Sequence, residues 1–121
     1  MDAENKKTRR LSSVNRCAAV VTATDEYIEW ASRSPEETTE DELEYLRKEA
    51  SVYLISEPEY DIERWLRKNY EMIFENELWA WCTDQTLWPE DRSLEAFKKY
   101  FNVRFCPEVF DSEKEIISKG K

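Results

Sequence analysis

The chain has one glycine, Gly120, and it stands next to the C-terminal residue. No glycine-rich turn can therefore precede a helix, so neither a phosphate loop nor a dinucleotide fingerprint can be built. The common calcium-binding loop is excluded on the same ground, because it turns on a glycine. Histidine is absent altogether. That removes Ser-His-Asp and Cys-His catalysis, histidine proton shuttles and imidazole-bound zinc. Cys17, Cys82 and Cys106 are odd in number and widely spaced. They predict free, buried, reduced thiols rather than a disulfide framework or a zinc ribbon.

A chain of 121 residues is expected to form one domain and to bury enough surface for a core without a disulfide or metal. Five Trp, six Tyr and five Phe are too many for a disordered acidic segment. No apolar run is long enough for a membrane helix, and the start is polar rather than signal-like. The expected compartment is the cytoplasm.

Charge divides the chain into three parts. Residues 1–16 carry net +3, residues 25–63 net −11 and residues 64–121 net −1. The total of −9 argues against nucleic acid as a partner, because phosphate neutralisation needs clustered Lys and Arg. The basic run from Lys6 to Arg10 reads as part of a flexible, solvated arm over residues 1–13.

From residue 14 the pattern becomes periodic. Residues 14–22 read as a strand covered on both faces, since small and β-branched residues occupy both sets of alternate positions. Thr24, with Asp25 and Glu26 in the first turn, predicts a helix that stops before Pro35. Thr39-Glu40-Asp41-Glu42 is a capping box, and its helix turns Leu43, Leu46 and Ala50 inward. Residues 51–56 form a second, apolar strand. Beyond Pro58 lies the longest helix, with Ile62, Trp65, Leu66, Ile73 and Phe74 on one stripe and a kink near residues 75–77. Residues 83–93 form a loop around Trp88-Pro89. Ser93 caps a short helix that Asn102 ends in a left-handed conformation. A third strand covers residues 103–110, with Pro107 marking an edge or bulge. A charged tail fills residues 111–121.

The order is β-αα-β-αα-β. Two helices per connection return the chain to the side it left, which predicts an α+β fold with a small three-stranded antiparallel or mixed sheet and about four helices. The domain spans residues 14–110.

Several segments together carry a resemblance. They are Asn15-Arg16-Cys17-Ala18 with the following Val-Val, Val52-Tyr53-Leu54-Ile55, and Ile73-Phe74-Glu75-Asn76-Glu77-Leu78. Trp81, Thr83-Asp84, Leu87-Trp88-Pro89, Arg92, Phe97 and Phe101-Asn102-Val103 continue it. The pattern resembles a small family of acidic, cytoplasmic, single-domain bacterial proteins with no assigned activity. It implies a fold and no catalytic residues. The basic arm and the charged tail depart from the family pattern.

No catalytic residue, metal ligand or cofactor is signalled by the sequence. The densest constellation runs from Phe74 to Arg92, where Glu75, Glu77, Asp84, Glu90 and Asp91 lie among Trp79, Trp81 and Trp88. One reading is a carboxylate pair in an aromatic cleft, as in an enzyme acting on carbohydrate or using a divalent metal. The other is structural: Glu75 and Glu77 point apart on a helix, Asp84 caps the loop, and Arg92 pairs with Asp84 or Glu77. In that reading Trp88 packs against the long helix. A DNA mimic, with carboxylates spaced like phosphates, is the weakest reading. The favoured expectation is a non-enzymatic protein-binding or inhibitory module with a basic protein partner. Its surfaces would be an acidic face at Glu36, Glu37, Glu40 and Glu44, and a Trp-rich loop at Trp79, Asp84, Trp88 and Arg92. On the acidic helix, Glu44 and Lys48 are spaced to pair.

Overall fold

The computed structural model describes residues 8, 10–33, 38–56 and 61–120. Strand β1 covers Arg16–Ala23, helix α1 Asp25–Ser32, helix α2 Glu40–Lys48 and strand β2 Ala50–Ser56. Helix α3 follows over Ile62–Trp81, then a 3-10 turn at Gln85–Leu87, helix α4 at Leu94–Tyr100 and strand β3 at Phe101–Cys106. The three strands form one sheet in the order β2-β1-β3, and β1 is antiparallel to both neighbours. The α+β order and the antiparallel return of each two-helix connection are as the sequence predicts.

The helices start where their caps say. Thr24 accepts from the backbone N–H of Tyr27, and Ser93 from that of Ala96. Thr39 and Glu42 close the capping box in both directions. Each cap satisfies a donor that the first turn leaves unpaired.

Alternation along β1 sends Cys17, Ala19 and Val21 to the helical side, where they are at most 4% exposed. Val21 joins Tyr27, Leu66, Ile73, Phe74, Leu78 and Phe97 in the main core. Phe74 is its hub: Phe97, Phe101 and Tyr100 meet its ring edge-on at 5.6, 5.7 and 6.1 Å. Ile28, Ala31 and Leu43 make a smaller cluster that seats α2 on α1.

Several expectations are corrected. The sheet is covered on one face only among the described residues. Val52 and Leu54, on the other face, are 60% and 46% exposed, and neither joins a core cluster. Ala18 lies between Leu54 and Cys106 in the register, and its methyl group is buried on that open face. Ala50 is exposed and opens β2 instead of ending the inner face of α2. Helix α3 runs unbroken through residues 75–77. Helix α4 passes straight into β3: Phe101 is its cap in an extended conformation, and Asn102 is already paired with Thr22. The strand ends at Cys106, so Pro107 falls outside it. Beyond it, Ser13 bridges to Phe110 and Val14 donates to the carbonyl of Val109 at 2.8 Å. The three cysteines are free; Cys17 and Cys82 are buried, whereas Cys106 on the open side is half-buried.

Candidate functional site

A cavity of about 360 Å³ opens between α2, the C-terminal part of α3 and the end of β1. Its apolar walls come from Val21, Leu46, Trp81 and Phe101. Asp41, Glu42 and Glu49 stand at its acidic side, and Glu77 reaches in from α3. Helical spacing explains the grouping. Asp41, Tyr45 and Glu49 recur every fourth position, and so share one side of the α2 segment. Glu77 and Trp81 do the same on α3. The capping box sets the first turn of α2, so the cap also fixes where Asp41 and Glu42 stand.

Glu77 is half-buried and held from below. The hydroxyl of Tyr53 donates to its Oε2 at 2.5 Å, and the side chain of Asn76 donates to the Tyr53 oxygen at 2.9 Å. Burial pushes the Tyr53 phenol well above its ordinary pKa; Glu77 adds to that shift, and the Asn76 bond partly offsets it. Tyr27 lines the same cavity and is 1% exposed. Its ring is packed by Phe101 at 4.6 Å and Trp30 at 5.3 Å. Its hydroxyl is buried and has no hydrogen-bond partner among the described residues. Burial raises its pKa strongly, and the nearby charge of Glu77 raises it further.

The sequence-predicted residues fall in three places. Glu36 and Glu37 lie outside the described residues. Glu40 and Glu44 are exposed on α2; Glu44 accepts from Arg47 at 2.9 Å, so the expected Glu44–Lys48 pair is replaced by an i,i+3 pair. Trp79, Trp88 and Arg92 do come together. Trp88 is 7% exposed, donates its indole N–H to the carbonyl of Cys82 at 2.8 Å, and meets Trp79 edge-on at 5.3 Å. The Arg92 guanidinium lies 5.7 Å from the centre of the Trp88 ring and donates to the carbonyl of Pro89 at 2.7 Å. Trp79 stays 44% exposed.

The expected Arg92 pairing with Asp84 or Glu77 is not formed. Asp84 instead caps the 3-10 turn, accepting from the Thr86 hydroxyl at 2.6 Å and its backbone N–H at 3.0 Å. Those bonds, the hydroxyl first, hold its carboxyl below the usual range. Asp91 is likewise lowered by Ser93. Each short loop carboxylate thus finds a nearer partner than Arg92.

The acidic face and the Trp loop are not one surface. Trp79 is two residues from Glu77, about 200° around α3 by helical geometry. The cavity side and the tryptophan side are therefore opposite sides of one helix. Sequence reasoning missed Tyr27, Asp41, Glu42, Tyr45 and Glu49 as site residues. The signal was present in the four-residue recurrence of Asp41, Tyr45 and Glu49, but the neighbouring Glu40–Glu44 stripe competed with it.

Among the described residues, no group of three or more Cys, Asp and Glu side chains is arranged to hold a metal ion. No helix among them is long and apolar enough to cross a membrane. Comparison with protein-family models, with curated proteins and with solved structures yields no match.

Proposed function

We propose that the chain is a non-enzymatic, cytoplasmic binding module that docks a basic protein partner on the α2 side. One observation carries the reading: an apolar cavity is ringed by Asp41, Glu42, Glu49 and Glu77, with Glu40 and Glu44 exposed beside it. Such a surface offers apolar contact at its centre and negative charge at its rim. That division suits a protein interface, in which buried anchors hold and peripheral charge speeds and selects encounter. Glu36 and Glu37 extend the acidic run in sequence, and the module acts on its partner by occupying it.

The test is a cross-linking capture with a photo-reactive residue in place of the exposed Tyr45. The captured protein should carry a basic surface. Its association rate should fall as salt rises, since exposed charges are screened over about 8 Å at physiological ionic strength. A triple variant, Glu40→Gln with Glu44→Gln and Glu49→Gln, should fold normally and lose most of the cross-link. Equal capture by that variant at low salt would sink the reading and leave the exposed Trp79–Arg92 side as the docking surface.

A further inference from the structure

We infer that the cavity beneath α2 is a receptor for a single arginine side chain of the partner, with Glu77 as its charge partner. The inference rests on the reading above for the source of the arginine, but its chemistry stands on the cavity alone.

Volume sets the size of the guest. About 360 Å³ lies near the lower end of the range of roughly 300–1,000 Å³ seen for small-molecule pockets. That suits one long side chain better than a cofactor. The walls set its character. A guest entering past Tyr45 meets Leu46, Trp81 and Phe101, which suit a methylene stem. Aromatic faces also favour a planar guanidinium over a compact, strongly hydrated ammonium.

Glu77 sets the sign. Its Oε2 accepts from Tyr53, and no described residue donates to its Oε1. Among the described residues it takes part in no ion pair. A carboxylate held by a tyrosine and an asparagine behind it is positioned before a guest arrives, and a cation is the guest it prefers.

Tyr27 adds an aromatic wall to the same cavity. A hydroxyl this deep normally has a partner, because leaving it unpaired costs stability. Tyr27 is 1% exposed, lines the cavity, lies in the field of Glu77 and has no hydrogen-bond partner for its hydroxyl among the described residues. Its oxygen is closed to solvent, so toward the cavity the side chain offers aromatic wall and no acceptor.

The probe is n-butylguanidinium, with n-butylurea as the uncharged planar control, added to the full chain and followed by backbone amide and indole NMR shifts. A ligand this small is expected to bind at about millimolar Kd. The expected result is saturable shifts centred on Tyr27, Glu77 and Trp81, with the urea at least about tenfold weaker. Glu77→Gln keeps an acceptor for Tyr53 but removes the charge, and should weaken the probe by a similar factor while the melting temperature holds. Tyr27→Phe keeps the aromatic wall and should bind the probe equally. The inference is overturned if urea and guanidinium bind alike, if Glu77→Gln binds the probe unchanged, or if shifts do not saturate or centre elsewhere. Probe binding without any captured protein would uphold the cavity and sink the protein-partner reading. Capture without probe binding would do the reverse.

Discussion

Tyr27 concentrates the molecule's tension in one side chain. Its ring is a core aromatic, and its hydroxyl is an orphan. Replacing it with Phe keeps the packing and removes the unpaired group. Tyr27→Phe is therefore expected to raise the unfolding free energy by about 1–3 kcal/mol, read by denaturant melts. The same residue shapes the alkaline limb. Tyr27 and Tyr53 both hold their protons in the folded state beyond the ordinary phenol value of 10.0. Below pH 10 both phenols are protonated in the folded and the unfolded chain. Above it the unfolded chain releases protons that the folded chain keeps, so stability falls as pH rises. Tyr27→Phe should make that fall shallower above pH 10, and an unchanged slope would remove Tyr27 from the account. Trp88 offers the contrasting case of a satisfied buried aromatic. Its ring is packed and its N–H is paired, so Trp88→Ala should cost about 3–5 kcal/mol. The sequence pointed to packing for Trp88, because Leu87 and Pro89 flank it. It held no sign of the Tyr27 orphan. Whether a hydroxyl finds a partner depends on which atoms lie nearby, here Glu77 on α3 and Cys82 just past its end.

Among the elements, legibility followed range. Thr24, Thr39 and Ser93 were readable as caps because a cap bonds to a backbone N–H within three residues of itself. The end of α4 was not readable, because nothing local turns the chain there. Phe101 leaves the helix for a place in the sheet opposite Ala23, and Thr24 ties the junction by donating to the Lys99 carbonyl at 2.6 Å. The open sheet face was misread for a related reason. Val52-Tyr53-Leu54-Ile55 is apolar at every position, which resembles a strand covered twice. Only Tyr53 and Ile55 turn toward the helices, whose apolar stripes are used up on that side. Val52→Thr with Leu54→Thr should accordingly change stability by no more than about 0.5 kcal/mol each, in contrast to Trp88→Ala. The acidic helix carries the opposite expectation. Thr39→Ala breaks the capping box and should cost about 1 kcal/mol. It should also speed amide exchange through residues 40–46, so a fold-stability change would reach the cavity rim through α2.

At the scale of the whole chain, electrostatics pulls two ways. Arg33–Glu29, Arg47–Glu44, Lys98–Glu63 and Lys99–Glu26 are the ion pairs among the described residues, and all four are exposed. Exposed pairs are worth about 0–1 kcal/mol, and added salt weakens them. Against them stands a net charge of −9, with net −11 in residues 25–63 alone. On α2, Glu40 and Glu44 are four apart, which sets like charges side by side, and Asp41, Glu42, Glu49 and Glu77 converge on one cavity. Salt relieves this repulsion as surely as it weakens the pairs. The converging carboxylates outnumber the pairs near them, since among the described residues only Glu44 of this group has a cationic partner. Relief should win. The melting temperature is expected to rise between about 10 mM and 0.3 M sodium chloride, where the screening length falls from about 30 Å to below 8 Å. The Glu40→Gln, Glu44→Gln, Glu49→Gln variant should start higher at low salt and rise less. A flat or falling curve for the native chain would show that its surface pairs outweigh its acidic face. In that case the face stores no repulsion for a cationic partner to relieve, and charge would guide encounter without strengthening the complex.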